Sequence, residues 1–219
     1  MMIDFYADIL CPWCYIGHRR LRSALRDAPS SAVIVRWRSV ELSPGLSRVP
    51  ADTAAQQMAA ATWWGDQAAA RIADIRSLGS AEGLQLNLHV ARPVNSFDAH
   101  RLVKFAAHHG RQGDIVEGLL YGYHTEGVNI ADHGALEEIG TRAGLGGNDI
   151  RSLLAGDAFA AEVRTDERSA RQRGVSGVPS LVLGDGPPLT GLHSTVFLRQ
   201  LIHQAVTDAG DALTRDENP

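Results

Sequence analysis

Cysteine is scarce, with two among 219 residues, far too few for the disulfide framework of a small secreted scaffold. Both fall in one short stretch, Cys11-Pro12-Trp13-Cys14, so they cannot tie distant parts of a fold together, and a chemical role is the reading that remains. Charge of one sign is not in excess: 21 Lys and Arg stand against 25 Asp and Glu, for a net charge of −4. The arginines are scattered through amphipathic segments rather than gathered in a stripe, which argues against a nucleic-acid surface. No apolar run approaches the roughly 18 residues that span a membrane. The opening Met-Met-Ile-Asp-Phe-Tyr-Ala-Asp has no basic leader, long apolar stretch or small-residue cleavage site of the secretory kind. These absences set the expectation of a cytoplasmic protein with neither membrane nor nucleic acid as partner. Hydrophobic residues are abundant, at 44%, enough for a substantial core without staples.

The first segment alternates. Ile3, Phe5, Ala7 and Ile9 share one face of an extended stretch and Asp4, Tyr6 and Asp8 the other, the pattern of a strand. From Pro12 onward Cys14, Gly17, Leu21, Ala24, Leu25 and Ala28 recur at helical spacing, and proline suits a first helical turn. Val33 to Val40 is β-branched and carries Trp37, so it reads as a second strand. Strand, helix and strand in about forty residues make a βαβ unit with a parallel pair.

From about Pro50 to Gly174 helical segments follow one another, punctuated by glycine. Asp52 is the expected cap of one carrying Ala55, Met58, Ala59 and Trp63, and Ser96 of another carrying Ala99, Leu102, Val103 and Ala106. Ile115 to Tyr123, Leu136 to Ala143 and Asp157 to Gly174 mark three more. Strand character returns at Ser180 to Leu183, with Gly184-Asp185-Gly186 as a turn before Leu189-Thr190. A last amphipathic helix carries Phe197 to Val206, and the polar stretch from Gly210 is expected to fray. The order β-α-β, helices, β-β-α is that of a thioredoxin fold, an α/β architecture, with a large helical insertion. The expected division is 1–48 with 157–209 for the thioredoxin-like domain, 49–156 for the insertion and 210–219 for a flexible tail.

Cys11 and Cys14 lie where a strand ends and a helix begins. An i, i+3 spacing on a helix brings side chains within about 5–6 Å, close enough for a disulfide to form with little backbone movement. Cys11 at the helix edge faces unpaired N–H groups and the positive end of the helix dipole, the setting of a nucleophilic sulfur. Cys14 shares a face with Leu21 and Leu25, so it is expected to be buried and to resolve a mixed disulfide. Half of a zinc site is the competing reading of such a pair. No further cysteine exists to complete it, and His18 lies four residues down the same helix. Metal is therefore not expected.

Gly174-Val175-Ser176-Gly177-Val178-Pro179-Ser180 leads directly into a strand. A Val178-Pro179 bond at that place reads as a cis peptide that would offer the Val178 backbone to an extended substrate; the alternative is a trans proline opening an edge strand.

Phe5 to Gly17, with its Cys-Pro-Trp-Cys core, resembles the active-site segment of the DsbA-like thioredoxin-domain family. That family includes FrnE-type proteins and, more distantly, 2-hydroxychromene-2-carboxylate isomerases. Trp37 with Glu41-Leu42-Ser43-Pro44, Asn95 to Leu102, Tyr123 to Gly127 with Asn129-Ile130, and the Gly174 to Ser180 loop resemble it as well. Near Leu189 to Ser194 the chain departs, with Thr190-Gly191-Leu192-His193 where the family often has Ser-Gly-Ala-Gln. The resemblance implies a thioredoxin core and dithiol–disulfide chemistry on a thiol- or disulfide-containing protein, peptide or small molecule. Cys11, Cys14 and Pro179 would be the catalytic set and Pro12, Trp13 and Val178 the substrate contacts. No cofactor beyond the redox pair is implied, with glutathione as an optional reductant or cosubstrate.

Asp8, three residues before Cys11, is a candidate proton shuttle for the second cysteine, or else a surface or loop-binding carboxylate. His100, His108, His109 and His124 share no metal spacing and read as structural. Trp63, Trp64, Tyr121 and Tyr123 read as core, with a groove over the dithiol as the alternative. Two rival activities stand: a glutathione-dependent isomerase or transferase for a small aromatic or polyketide-like substrate, and a peptide-binding chaperone module.

Overall fold

In the computed structural model, which describes residues 1–27 and 33–216, β1 (Met2–Ala7) lies in the interior of a four-stranded sheet. The helix α1 (Pro12–Ala24) follows after a short corner and leads to β2 (Ile34–Ser39). Ala28, the last apolar position of the expected first helix, lies outside the described residues. The helices α2 (Ala54–Ala59), α3 (Ala68–Ala81), α4 (Phe97–His108) and α5 (Gln112–Tyr121) come next. A π-helical turn, Gly122–Glu126, extends α5. Then come α6 (His133–Arg142), α7 (Gly147–Ala155) and α8 (Ala160–Gln172). The chain closes with β3 (Ser180–Leu183), β4 (Leu189–Thr190) and α9 (Thr195–Asp216). The sheet order is β2-β1-β3-β4. β1 runs parallel to β2, pairing Phe5 with Trp37, and antiparallel to β3, pairing Phe5 with Leu181. This is a thioredoxin fold with a large helical insertion.

Both faces of β1 are covered, so its alternation separates two kinds of interior rather than core from solvent. Ile3, Phe5, Ala7 and Ile9 join Cys14, Ile16 and Leu21 of α1 in the main apolar core. On the opposite face α8 supplies polar partners: Tyr6 Oη and Ser169 Oγ are 3.0 Å apart. Arg38 bridges Asp4 and Asp166, and Asp166 also binds the Lys104 ammonium. Buried charges persist only when matched in this way.

Several boundaries differ from expectation. Thr53, not Asp52, caps α2, in a reciprocal capping box with Gln56. That helix stops at Ala59, because Ala60 is extended, which leaves Trp63 beyond it. Ser96 occupies the cap position of α4 without a side-chain bond. α3 and α7 are not apparent in the sequence pattern; α3 buries little beyond Ala68, Ile72, Ile75 and Gly79, too sparse a stripe to stand out. The last helix continues past Gly210 to Asp216, and residues 217–219 lie outside the described part.

Candidate active site

β1 ends at Ala7, and the corner Asp8–Leu10 turns the chain into α1. Its geometry depends on the Asp8 side chain: Oδ1 accepts the Leu10 amide at 3.2 Å and Oδ2 the Leu42 amide at 2.7 Å. His100 Nε2, from α4, stands 3.3 Å from Oδ1, and both side chains are fully buried. Burial works against the charge on Asp8, but the His100 contact and the two amides outweigh it and hold the carboxyl below its ordinary value. Asp8 is thus not at the surface; it is the loop-binding carboxylate of the expected alternatives.

Cys11 is the N-cap of α1, with Pro12 in the first turn. Its Sγ accepts the Cys14 amide at 3.3 Å and lies 3.9 Å from the Val178 carbonyl oxygen. Cys11 is 4% exposed and Cys14 0%, and both are free thiols. Burial, then the hydrogen bond of its thiol to Cys11, pushes the Cys14 pKa well up. The structure therefore brings Cys11, Pro12, Trp13, Cys14 and Val178 together above Asp8.

The Val178–Pro179 peptide is cis, and Pro179 packs on α1 at Gly17, where an added Cβ would stand 3.3 Å from the proline Cγ. Glycine at 17 is what lets the loop approach the helix so closely. The segment that departs from the family pattern anchors this loop from the other side. Gly191 donates its amide to the Pro179 carbonyl at 2.8 Å, and Ser180 Oγ lies 2.8 Å from Thr190 Oγ1.

A cavity of about 310 Å³ opens beside Cys11 and Trp13, walled by Leu42, Met58, Trp63, Trp64 and Tyr123 among others. Trp63 and Trp64 line this wall, the expected alternative to a core position: Trp63 is 53% exposed, Trp64 also packs against the core, and the two rings lie 5.5 Å apart. Their pattern misled because α2 ends before reaching them. Tyr121 points elsewhere and is 47% exposed. The π turn that ends at Gly127 (φ 72°) places Tyr123 and His124 inward. His124 Nε2 donates to the Ile9 carbonyl at 2.9 Å, and its ring packs against Tyr15 and Tyr123. Tyr123 is fully buried, its hydroxyl has no hydrogen-bond partner among the described residues, and burial raises its pKa, with the Asp8 charge adding to the rise. An unpaired buried hydroxyl costs on the order of 1–3 kcal/mol.

His100, His124, Trp63, Trp64 and Tyr123 thus reach the site, while His108 and His109 do not. No cluster of three or more metal-ligating side chains occurs among the described residues, and no helix among them is long and apolar enough to cross a membrane.

Comparison with known proteins agrees with this fold. A family profile described as the DSBA-like thioredoxin domain matches residues 2–203. A probable DsbA oxidoreductase from Streptomyces coelicolor superposes with a TM-score of 0.87 at 32% identity, over 94% of this chain and 89% of that one. A 2-hydroxychromene-2-carboxylate isomerase shares the fold at 18% identity and a TM-score of 0.69, over 99% and 98% of the two chains. The cytosolic disulfide reductase DsbM from Pseudomonas aeruginosa, in a structure with GSH, does so at 18% identity and 0.65, over 98% and 100%. An uncharacterized protein of Bacillus subtilis, YwbO, is 22% identical over 187 residues, 84% of this chain and 86% of its own. The chain belongs to the DsbA-like thioredoxin-domain family.

Proposed function

We propose that the protein is a thiol–disulfide oxidoreductase in which Cys11 attacks and Cys14 resolves. The observation that carries this reading is the place of the Cys11 sulfur at the start of α1, with the Cys14 amide aimed at it from 3.3 Å. Negative charge on a sulfur nucleophile is met there by an N–H group. Burial keeps Cys14 a thiol, which suits a group that acts only once a mixed disulfide has formed on its neighbour. The Val178 carbonyl beside Cys11 and the half-buried Trp13 are the substrate contacts, with Pro12 and Pro179 shaping the site.

The substrate carries a thiol or a disulfide, and the redox pair serves as the only cofactor, with glutathione as a reductant. We place the enzyme in the cytoplasm; the DsbM relative is described as cytosolic. A glutathione-dependent isomerase would have no use for Cys14, and the hydrogen bond from the Cys14 amide to the Cys11 sulfur at 3.3 Å favours the dithiol reading. A chaperone would retain its activity in a Cys11→Ser, Cys14→Ser double variant. Insulin reduction tests the proposal: the wild type accelerates precipitation of the insulin B chain and Cys11→Ser does not. Equal rates would refute it.

A further inference from the structure

Cys14 has no exposed surface, and a substrate joined to Cys11 covers it further, so the proton that Cys14 must lose before it attacks does not face water. The carboxylate beneath, Asp8, is already engaged: Oδ1 and Oδ2 accept the Leu10 and Leu42 amides, and His100 Nε2 lies 3.3 Å from Oδ1. A proton resting on Asp8 would weaken bonds that hold the corner, so a proton that arrives there needs an onward acceptor.

Two unpaired groups lie in that direction. The His100 ring is fully buried, and its Nδ1 has no hydrogen-bond partner among the described residues. The Glu41 side chain is 1% exposed; one of its oxygens accepts Arg164 Nη1 at 2.5 Å and the other, Oε1, has no partner among the described residues. Two connections bring Glu41 toward His100. It precedes Leu42, whose amide is held by the same Asp8 that touches His100, and Arg164 of α8 covers at 4.2 Å the ring of Phe97, one turn before His100 on α4. The charge of His100 also acts on Glu41, offsetting part of the rise that burial imposes on its carboxyl. Buried polar atoms are nearly always paired, and an unpaired imidazole nitrogen near an unpaired carboxylate oxygen is what proton transfer requires. Beyond Glu41, Arg164 is 44% exposed and also pairs with Glu167, so this line of groups ends at water between α4 and α8, away from the mouth of the site.

We propose that the proton released by Cys14 leaves through the flank of the molecule, from Asp8 to His100 to Glu41, and that His100 and Glu41 are positioning residues of the resolving step that act through Asp8. The inference rests on the dithiol reading above and adds the proton's route and two residues to it. As Cys14 attacks the Cys11 sulfur of the mixed disulfide, the Cys11–substrate S–S bond breaks and its electron pair leaves with the substrate thiolate. The Cys14 proton passes to Asp8 while His100 passes its Nδ1 proton to Glu41, so the buried pair gains at one end what it loses at the other and keeps its charge. Glu41 releases its proton to water beside Arg164, and the substrate thiolate takes one from solvent. Reduction of the Cys11–Cys14 disulfide runs the same route inward and returns a proton to Cys14.

Stopped-flow single turnovers of the reduced protein with 5,5′-dithiobis(2-nitrobenzoate) separate the two steps, since one coloured thiol is released when Cys11 attacks and a second when Cys14 resolves. Glu41→Gln keeps the shape of the side chain and an acceptor for Arg164. In that variant the first phase should keep its wild-type rate and the second should slow roughly tenfold or more, a part of the roughly 10²–10⁴ that a positioned acid or base contributes. Added imidazole, at constant pH and ionic strength, should restore the second phase by carrying the proton through the mouth instead, and should leave the wild type unchanged; a merely structural role for Glu41 gives no such rescue. His100→Gln should behave alike, and Glu41→Gln decides alone where that variant does not fold. A second phase at wild-type speed in either folded variant, or one slowed in Glu41→Gln but indifferent to imidazole, overturns the inference and leaves the dithiol reading standing. A Cys14→Ser variant that still releases the second thiol at the wild-type rate overturns both.

Discussion

The Cys14 amide and the Cys11 sulfur are 3.3 Å apart, so the residue that resolves the mixed disulfide also helps to hold the attacking atom through its backbone. The two sulfurs are therefore unequal. Cys11 borders the cavity, whereas Cys14 has no exposed surface and a pKa pushed well up by burial and by Cys11. Iodoacetamide at neutral pH should modify Cys11 alone in the native protein, with Cys14 labelled only after unfolding. Peptide mapping that finds equal labelling would contradict this asymmetry.

Asp8 fixes the corner beneath the pair and raises the Cys14 pKa through its charge, while its own backbone amide acts in the opposite direction. Replacing it by Asn keeps the shape, removes the charge and turns one acceptor into a donor facing an amide. Asp8→Asn should lose roughly 1.5–3 kcal/mol of stability, the worth of hydrogen bonds to a charged group, read from urea midpoints. Because the folded value of Asp8 is lowered, its contribution is complete above the unfolded carboxylate range and is lost as pH falls through the folded value. Thiolate absorbance near 240 nm tests the second effect: the Cys14 step should move to lower pH in Asp8→Asn.

His18 and His124 make the protein sensitive to mild acid. Burial depresses both, His18 to about 3 with Arg22 and Arg19 adding to the effect, and His124 to about 4 despite the Ile9 carbonyl and the Asp8 charge. In the unfolded chain each takes a proton near pH 6.5, so below that value the unfolded state binds more protons. Stability is complete above about pH 6.5 and falls as pH drops toward the folded values, by up to ~1.4 kcal/mol per pH unit for each histidine. Urea midpoints at about pH 7 and 4.5 check the slope. A flat profile would mean that these rings are not buried neutral.

The polar face of the sheet makes a separate prediction. Lys104 is buried and contacts Asp166 and the Trp37 carbonyl, and Asp166 also receives Arg38 and the Ser39 amide. Asp166→Ala strands a buried ammonium and should cost about 3–5 kcal/mol. An Asp166→Leu, Lys104→Met double variant removes both charges and should cost less than the single substitution. The reverse order in chemical denaturation would show that the pair is not energetically coupled.

What the sequence disclosed was local. Cys11, Pro12 and Cys14 sit within one turn, and Val178-Pro179 is a dipeptide at a strand entrance, so the residue types alone located them. Asp8 is legible as a loop-binding carboxylate, but its partners Leu42 and His100 are not, because they come from distant parts of the chain. Periodicity gives no sign that α4 crosses beneath this corner. Helical spacing continuing through Trp63-Trp64 favours the core over the groove, whereas the backbone turns extended at Ala60 and brings both rings to the cavity wall. Tyr123 faces inward through a π turn, an irregularity that a 3.6-residue pattern does not register. The alternation in β1 marks its two faces. That both were buried depended on α8, more than 150 residues later, closing over Tyr6 through Ser169.

The central claim, that Cys11 attacks and Cys14 resolves, is tested most directly by trapping. Cys14→Ser protein mixed with native insulin, quenched in acid and mapped by mass spectrometry, should carry an insulin chain in disulfide linkage to Cys11. The wild type should carry almost none under the same conditions, because Cys14 releases it. An adduct that persists equally in both proteins, or one absent from Cys14→Ser, would contradict the account.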